Sequence, residues 1–258
     1  MSTAPPDLAF RALAALQYLT RLPVKLGRAP SEEEIPSLTA FYPAVGLVVG
    51  LCGLLVGGAV SWLAPEQSLL PGLLTIATWA LVTGAFHIDG LADSFDGLLS
   101  GKRGEDAGKI LKDSRVGVMG AVAVFLVLAL QAVAAGSLLH AGHLGAVVLA
   151  PVVGRLAAVV VAFVCRPPDW AGVNSLGRLL VGKVQGDWLR MASVTALAAG
   201  VVLAWPFGWI LLLAAGLGLG WAMARWAERV LGGVTGDVLG ASVEVAQTAV
   251  LVLAVLLN

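Results

Sequence analysis

Residues 116–139 read VGVMGAVAVFLVLALQAVAAGSLL, twenty-four residues without one Asp, Glu, Lys or Arg. An α-helix rises about 1.5 Å per residue, so roughly 20 apolar residues cross the ~30 Å hydrocarbon core of a bilayer. This stretch is therefore read as a transmembrane helix. Working outward from it, six more segments have the same character: about 41–63, 69–88, 144–165, 190–205, 207–224 and 237–257. The pair 190–205 and 207–224 is short and joined only around Pro206, and reads either as a helical hairpin or as a broken pair. The fold class expected is all-α: a polytopic integral membrane helical bundle of about seven transmembrane helices, one domain over 1–258.

Composition agrees with this. Apolar residues make up 59% of the chain and charged residues 12%, where soluble domains carry about a quarter charged residues. One soluble core of this size cannot hide so many apolar side chains, so lipid must cover part of the surface. The 32 glycines suit helices that pack closely without a hydrophobic drive between them, and pairs such as Gly46–Gly50, Gly216–Gly220 and Gly236–Gly240 allow contacts within one chain or in a homo-oligomer. Cys52 and Cys165 lie in apolar segments and suggest neither a disulfide nor a zinc site. Asp7, Arg11, Gln17, Thr20 and Arg21 argue against a signal peptide. Residues 7–22, ended by Pro23 within an interfacial segment 7–24, read instead as an N-terminal amphipathic helix at the membrane surface.

The formal net charge is zero, which gives no reason to expect a nucleic-acid partner, but the charges are segregated. If every span crosses, fifteen of the sixteen Lys and Arg residues fall on one side, and the connections around 65–67, 140–143 and Pro206 carry none. The positive-inside rule then makes the N-terminus and the basic loops cytoplasmic. The sixteenth, Arg155, falls inside the fourth span, where a charge needs a partner or a wet cavity.

The longest polar stretches, 89–115, 166–190 and 225–237, share the basic side. The first opens on His87-Ile88-Asp89-Gly90-Leu91-Ala92-Asp93-Ser94-Phe95-Asp96-Gly97. If the second span continues as helix, Asp89, Asp93 and Asp96 stand at i, i+4 and i+7, within an arc of about 60°. Carboxylates that close repel one another and raise each other's pKa, and a hard divalent cation, Mg²⁺ or Mn²⁺, relieves the repulsion. A solvated amphipathic face is the plainer alternative. His87 points to the opposite helix face, as a general base or as a packed interface residue.

Downstream, Lys112 and Arg115 offer phosphate-binding cations, Asp113 a further metal ligand, and Ser114 a phosphate contact or a cap for the third span. The Gly-rich turn Gly232–Gly236 enters the last span, where Thr235 and Gly236 can present backbone amides to phosphate. Asp237 and Glu244, at i and i+7, can face one groove, with Arg155 as a supporting charge. Asp237 can equally be a helix cap. Metal, cations and phosphate together are the usual equipment of phosphoryl transfer. The expected catalytic segment is thus 89–115, with Asp89, Asp93, His87, Lys112 and Arg115 carrying the chemistry.

Several segments in order resemble one family, the membrane-bound cobalamin (5′-phosphate) synthases or adenosylcobinamide-GDP ribazoletransferases. They are Leu19–Val24, Phe41–Gly46, Phe86–Gly97, Lys112–Gly117 and Gly233–Ala241. The resemblance implies a late step of cobalamin biosynthesis in a bacterial or archaeal cell (inner) membrane. Adenosylcobinamide-GDP would be joined to α-ribazole or its 5′-phosphate with release of GMP, in a reaction requiring Mg²⁺. The metal would sit on Asp89, Asp93, Asp96 and Asp113, and a ribose hydroxyl of the acceptor would attack. Trp170, Trp188 or Trp226 could rim a cavity for the corrin ring.

Two other readings stay open at this level. The chemistry also looks like that of the CDP-alcohol phosphotransferases, although their Asp-Gly-x-x-Ala-Arg start is not matched. A cation-coupled transporter would also carry intramembrane acids, but nearer mid-membrane and on broken helices.

Overall fold

The computed structural model describes residues 7–172, 175–203 and 208–258, all helix and connecting turns, with no strand among them. The order is α1 (Leu8–Leu19), a 3₁₀ segment (Ile35–Phe41), α2 (Tyr42–Leu63), α3 (Leu69–Thr83), α4 (Phe86–Leu98), α5 (Gly104–Leu111), α6 (Val118–His140), α7 (Leu144–Val164), α8 (Leu176–Leu180), α9 (Gly186–Leu203), α10 (Gly208–Leu231) and α11 (Gly236–Leu256). Six helices, with the 3₁₀ segment counted into α2, are long and apolar enough to cross a membrane. α3, the 15-residue apolar arm of the bent pair α3–α4, brings the number up to seven. The chain is a multi-pass membrane protein.

Burial grades the spans. In α7, 83% of the apolar window is buried, and in α11 72%, against 17–39% for the others. A helix that is apolar all round belongs inside a bundle, and α7 is one. α2, α9 and α10 pack around it, α11 packs on α7, α10 and α6, and α3 fills the space between α2 and α6. Gly216 and Gly220 of α10 face Val153 and Ala157 of α7, so this glycine pair serves contacts within the chain. The Pro206 junction lies outside the described residues. α9 and α10 on either side of it are separate helices of 18 and 24 residues, extended toward the basic end by several residues beyond the apolar runs. Arg190, Arg225 and Arg229 accordingly sit in helix ends rather than in loops.

α1 is capped by Asp7, whose carboxylate accepts from the Ala9 N–H, and it ends at Leu19, three residues short of the end at Leu22 expected from Pro23. Thr20 ends it by donating its hydroxyl to Leu16 O (2.6 Å). The next residue, Arg21, donates its backbone N–H to Val82 O (2.7 Å), tying the N-terminal segment to the end of α3.

That junction is where the structure departs most from the sequence reading. The second span does not run on from 69 to 88. It breaks at Gly84 (φ 62°) and Ala85 (φ 58°), and α4 leaves α3 at 94°. Among the described residues Ala85 is the one non-glycine with positive φ, a conformation costing an L-residue about 1 kcal/mol. Gly84 combines positive φ with close contact to the Arg21 side chain, which leaves no space for a Cβ. α4 therefore lies across the ends of the bundle, outside the crossing segments.

Candidate active site

The break aims α4 over the first turns of α6 and α11. Gly90 makes the α4–α11 crossing possible, since a Cβ there would stand 2.7 Å from the Asp237 carbonyl oxygen. This approach sets Asp237, from the start of α11, beside the aspartates of α4. The resulting cleft, about 190 Å³, is lined by Asp89 and Gly90, Lys112, Trp170, Ser175 and Gly177, and the Thr235–Asp237 turn.

The three α4 aspartates share one helix, as the spacing requires, but have three different surroundings. Asp89 is exposed and faces the cleft. Asp93 is half-buried, and its carboxyl is pushed up to about 7, first by loss of hydration and then by the charges of Asp89, Asp237 and Asp96. Asp96 is turned to the N-terminus of α6, where it accepts from the Gly117 N–H (2.7 Å) and the Gly120 N–H (2.8 Å). It caps a helix to which it does not belong, satisfying two otherwise unpaired amides and meeting the positive end of the dipole. Each of its oxygens accepts one α6 amide, and Asp96 is not among the residues that line the cleft.

The 112–115 segment also divides. Lys112 lines the cleft, with its Nζ 5.2 Å from the Trp170 ring centroid, within cation–π range. Asp113 and Arg115 bind each other in a two-point pair (3.1 and 2.8 Å), which pulls Asp113 down to about 2. They form no wall of the cleft, so Asp113 does not join the aspartates there, and Arg115 stands outside it on the surface. Ser114 is exposed and does not cap α6, whose N-cap position is Gly117.

At the α11 end, Thr235 is the cap. Its hydroxyl accepts from the Val238 N–H (3.4 Å) and donates to Asp237 Oδ2 (3.2 Å). Thr235, Gly236 and Asp237 all line the cleft, where an anion would meet the N-terminus of a 21-residue helix. Glu244 does not face the same groove. It is buried in the bundle and accepts at Oε2 from Gln131 of α6 (2.9 Å) and Gln247 of α11 (2.6 Å).

Gln247 in turn accepts from Arg155 Nη1 (2.9 Å), and Arg155 Nη2 stands 3.4 Å from His87 Nδ1. A guanidinium only donates, so Nδ1 accepts and the neutral ring carries its proton on Nε2. Burial first, and the Arg155 charge second, hold His87 well below the usual imidazole range. It lines a separate void of about 30 Å³ with Arg155 and Tyr42, not the cleft. His87 thus stands apart from the cleft in which a proton acceptor was expected, whereas Arg155 finds partners at both Nη atoms and leaves its Nε unpaired.

Gln131 and Gln247 went unread in the sequence, although an amide inside an apolar span is itself a signal that a polar partner faces it. Trp170 does wall the cleft, and its Nε1–H donates to Leu231 O (2.7 Å). Arg178 donates to the carbonyls of Ala171 and Asp169 (both 2.8 Å), holding the segment that carries Trp170 against the cleft. Trp226 stacks edge-on with Phe95 and is a packing residue. Among the described residues no three His, Cys, Asp or Glu side chains form a closed metal-binding set.

Fold and cleft together define a multi-pass membrane protein with an acidic pocket, one lysine and a helix N-terminus gathered at its basic end. The family model described as cobalamin-5-phosphate synthase matches residues 11–255, and the chain belongs to this family. It is similar to the adenosylcobinamide-GDP ribazoletransferases of Roseiflexus sp. (strain RS-1), at 38% identity over 92% of this chain and 86% of the relative, and of Pseudomonas entomophila (strain L48), at 40% over 92% and 95%. The protein of that name from Klebsiella pneumoniae (strain 342) is 36% identical over 91% of this chain and 94% of its own length. No solved structure matches the chain.

Proposed function

We propose that this protein is an adenosylcobinamide-GDP ribazoletransferase acting at a late step of cobalamin biosynthesis. In the reaction, adenosylcobinamide-GDP and α-ribazole, or its 5′-phosphate, give the cobalamin product and GMP. The observation that carries the reading is the meeting of Asp89 and Asp93 of α4 with Asp237 of α11 beside Lys112 and the amide end of α11.

These groups suit a phosphoanhydride. The amides at Thr235–Gly236 and the Lys112 ammonium would receive its phosphate oxygens. A ribose hydroxyl of the acceptor attacks the phosphorus that stays with the cobinamide. The bond from that phosphorus to the bridging oxygen of GMP breaks, and GMP leaves with the electron pair. Asp89, the exposed carboxylate, takes the hydroxyl proton.

Asp93 and Asp237 also fit Mg²⁺, which leaves the Asp89 carboxylate for the proton. They are hard oxygen donors, and the mutual repulsion that raises Asp93 is what a cation relieves. A closed cage of three ligands is not needed, because Mg²⁺ keeps several waters and uses one or two carboxylates plus substrate phosphates. When bound, the ion would neutralise the diphosphate and the departing phosphate. The segregation of basic residues supports a cytoplasmic N-terminus and cleft in the cell inner membrane, with α1 lying at its surface.

The test is GMP release from adenosylcobinamide-GDP in membranes carrying the protein. Release should need both α-ribazole and Mg²⁺. Absence of release with both present overturns the assignment.

A further inference from the structure

The cleft of about 190 Å³ is smaller than the roughly 300–1,000 Å³ that holds a whole small-molecule ligand. It has space for a diphosphate and its immediate neighbours, and the bulk of a second substrate must lie elsewhere. A second cavity begins at the same place. Between α3, α4 and α6 runs a groove of about 810 Å³, lined from Asp89 and Val116 at the basic end to Leu73 and Ala132 within the bundle. Among the described residues Asp89 is the only one that lines both cavities.

The 94° turn at Gly84–Ala85 is what creates this junction. α4 swings across the bundle end, so one flank of Asp89 meets the polar cleft and the other meets the space α4 has left between α3 and α6. The groove walls are low. Ala77 and Ala80 of α3, Ala85 at the break, Ala92 of α4, and Ala121 and Ala129 of α6 leave space that larger side chains would fill. Leu73 and Phe125, both exposed, stand on its lipid-facing side. Asp89 is its one ionisable group, and no Lys or Arg lines it.

We infer that this groove is the acceptor subsite, holding the apolar base of the acceptor nucleoside while its sugar hydroxyl reaches Asp89. The inference rests on the transferase reading above and adds to it the place from which the nucleophile comes. Charge selects this occupant over an anionic phospholipid. A lipid phosphate drawn to the groove's polar end would meet the Asp89 carboxylate with no cation in the wall, whereas a hydroxyl donates to that carboxylate directly. The two substrates then approach Asp89 from opposite flanks: the diphosphate from the cleft and the hydroxyl from the groove. The oxygen that loses its proton and the phosphorus it attacks are brought together at the one carboxylate both cavities share.

Ala77→Phe and Ala129→Phe fill the groove from its two walls, and Ala59→Phe, at the far end of the bundle, is the control. In assays of GMP release, each groove variant should raise the KM for α-ribazole about tenfold or more, equivalent to about 1.4 kcal/mol of lost binding, with the KM for adenosylcobinamide-GDP within about twofold of the unsubstituted protein. In the unsubstituted protein, free benzimidazole should inhibit competitively against α-ribazole and not against the nucleotide substrate. This second measurement stands even if a Phe variant fails to accumulate. An unmoved acceptor KM, an equal rise in both KM values, or benzimidazole competing with the nucleotide overturns the inference. So does activity that responds to the lipid of the vesicle but not to groove filling, which would make the groove a lipid seat. No GMP release from the unsubstituted protein sinks the transferase reading itself, whereas normal turnover with an unmoved acceptor KM sinks only the groove assignment.

Discussion

The two faces of α4 carry polar groups of opposite kinds. One face presents His87 to a buried network in which Arg155, Gln247, Glu244 and Gln131 hydrogen-bond one another across α7, α11 and α6, with Arg155 Nε and Gln131 Oε1 left unpaired. The other presents Asp89 to a cleft where carboxylates outnumber cations, with the Asp93 carboxyl beside it pushed up to about 7. A buried charge is tolerated when it is compensated, so the first face holds the bundle together. Uncompensated like charges in a cleft are a standing cost that only a ligand relieves, so the second face is where binding is to be looked for. Polarity inside a membrane protein therefore does not by itself mark function. The balance of charge separates the two cases: Arg155 stands against Glu244 on the first face, and like charges stand together on the second.

The largest effect expected from this contrast is on turnover. Asp89→Asn should lower GMP release by about a thousandfold, the scale of removing a group placed for the transition state, with protein in the membrane at normal level. If His87→Gln instead abolishes turnover at normal protein level while Asp89→Asn does not, the assignment of the two faces is reversed. Next in size is Arg155→Met, which leaves Glu244 without its compensating charge. It should cost about 3–5 kcal/mol, seen as lost membrane protein and a lowered thermal midpoint, with activity per folded molecule retained. Turnover lost without loss of stability would break the comparison.

A smaller effect is expected between the two faces. Asp96→Ala removes the carboxylate from the α6 N-terminus and should cost about 1–2 kcal/mol in denaturation, unaffected by Mg²⁺. A loss of stability that depends on Mg²⁺ would return Asp96 to the metal site. The smallest concerns Asp93. Its carboxyl lies at about 7 in the fold, against about 3.9 in an unfolded chain. The folded state thus keeps a proton that the unfolded state has released, and this stabilising contribution is full below about pH 4 and lost as pH rises through about 7. With chelator present, Asp93→Asn should be more thermostable than the unsubstituted protein at pH 8 by about 2–4 °C, discounted for partial exposure, and the gap should narrow steadily as pH falls toward about 4. A difference of the opposite sign would mean that Asp93 is stabilised as a carboxylate.

How far the sequence could be read depended on the range of the interactions concerned. The spans were legible because lipid imposes one length and one polarity on each. The common helix of Asp89, Asp93 and Asp96 was legible from their spacing. The separate use of Asp96 was not, because the amides it caps lie 21 and 24 residues onward. Glu244 was separated from Asp237 by an amide 113 residues away, Gln131, which no local pattern connects to it. Asp113 was drawn out of the aspartate group by its neighbour Arg115, a local pairing that the search for a ligand passed over.

By itself, the sequence determined that the chain crosses a membrane repeatedly and that its basic residues, Arg155 apart, are segregated from the connections around 65–67 and 140–143. These follow from transfer free energies and helical periodicity, which are properties of the local chain. The tertiary structure alone decided that the second span breaks at Gly84–Ala85 and that α4 turns across the bundle. That turn gives Asp89 to the cleft, Asp96 to α6 and His87 to the interior, because each side chain's role is set by the groups that distant helices bring within a few ångströms of it.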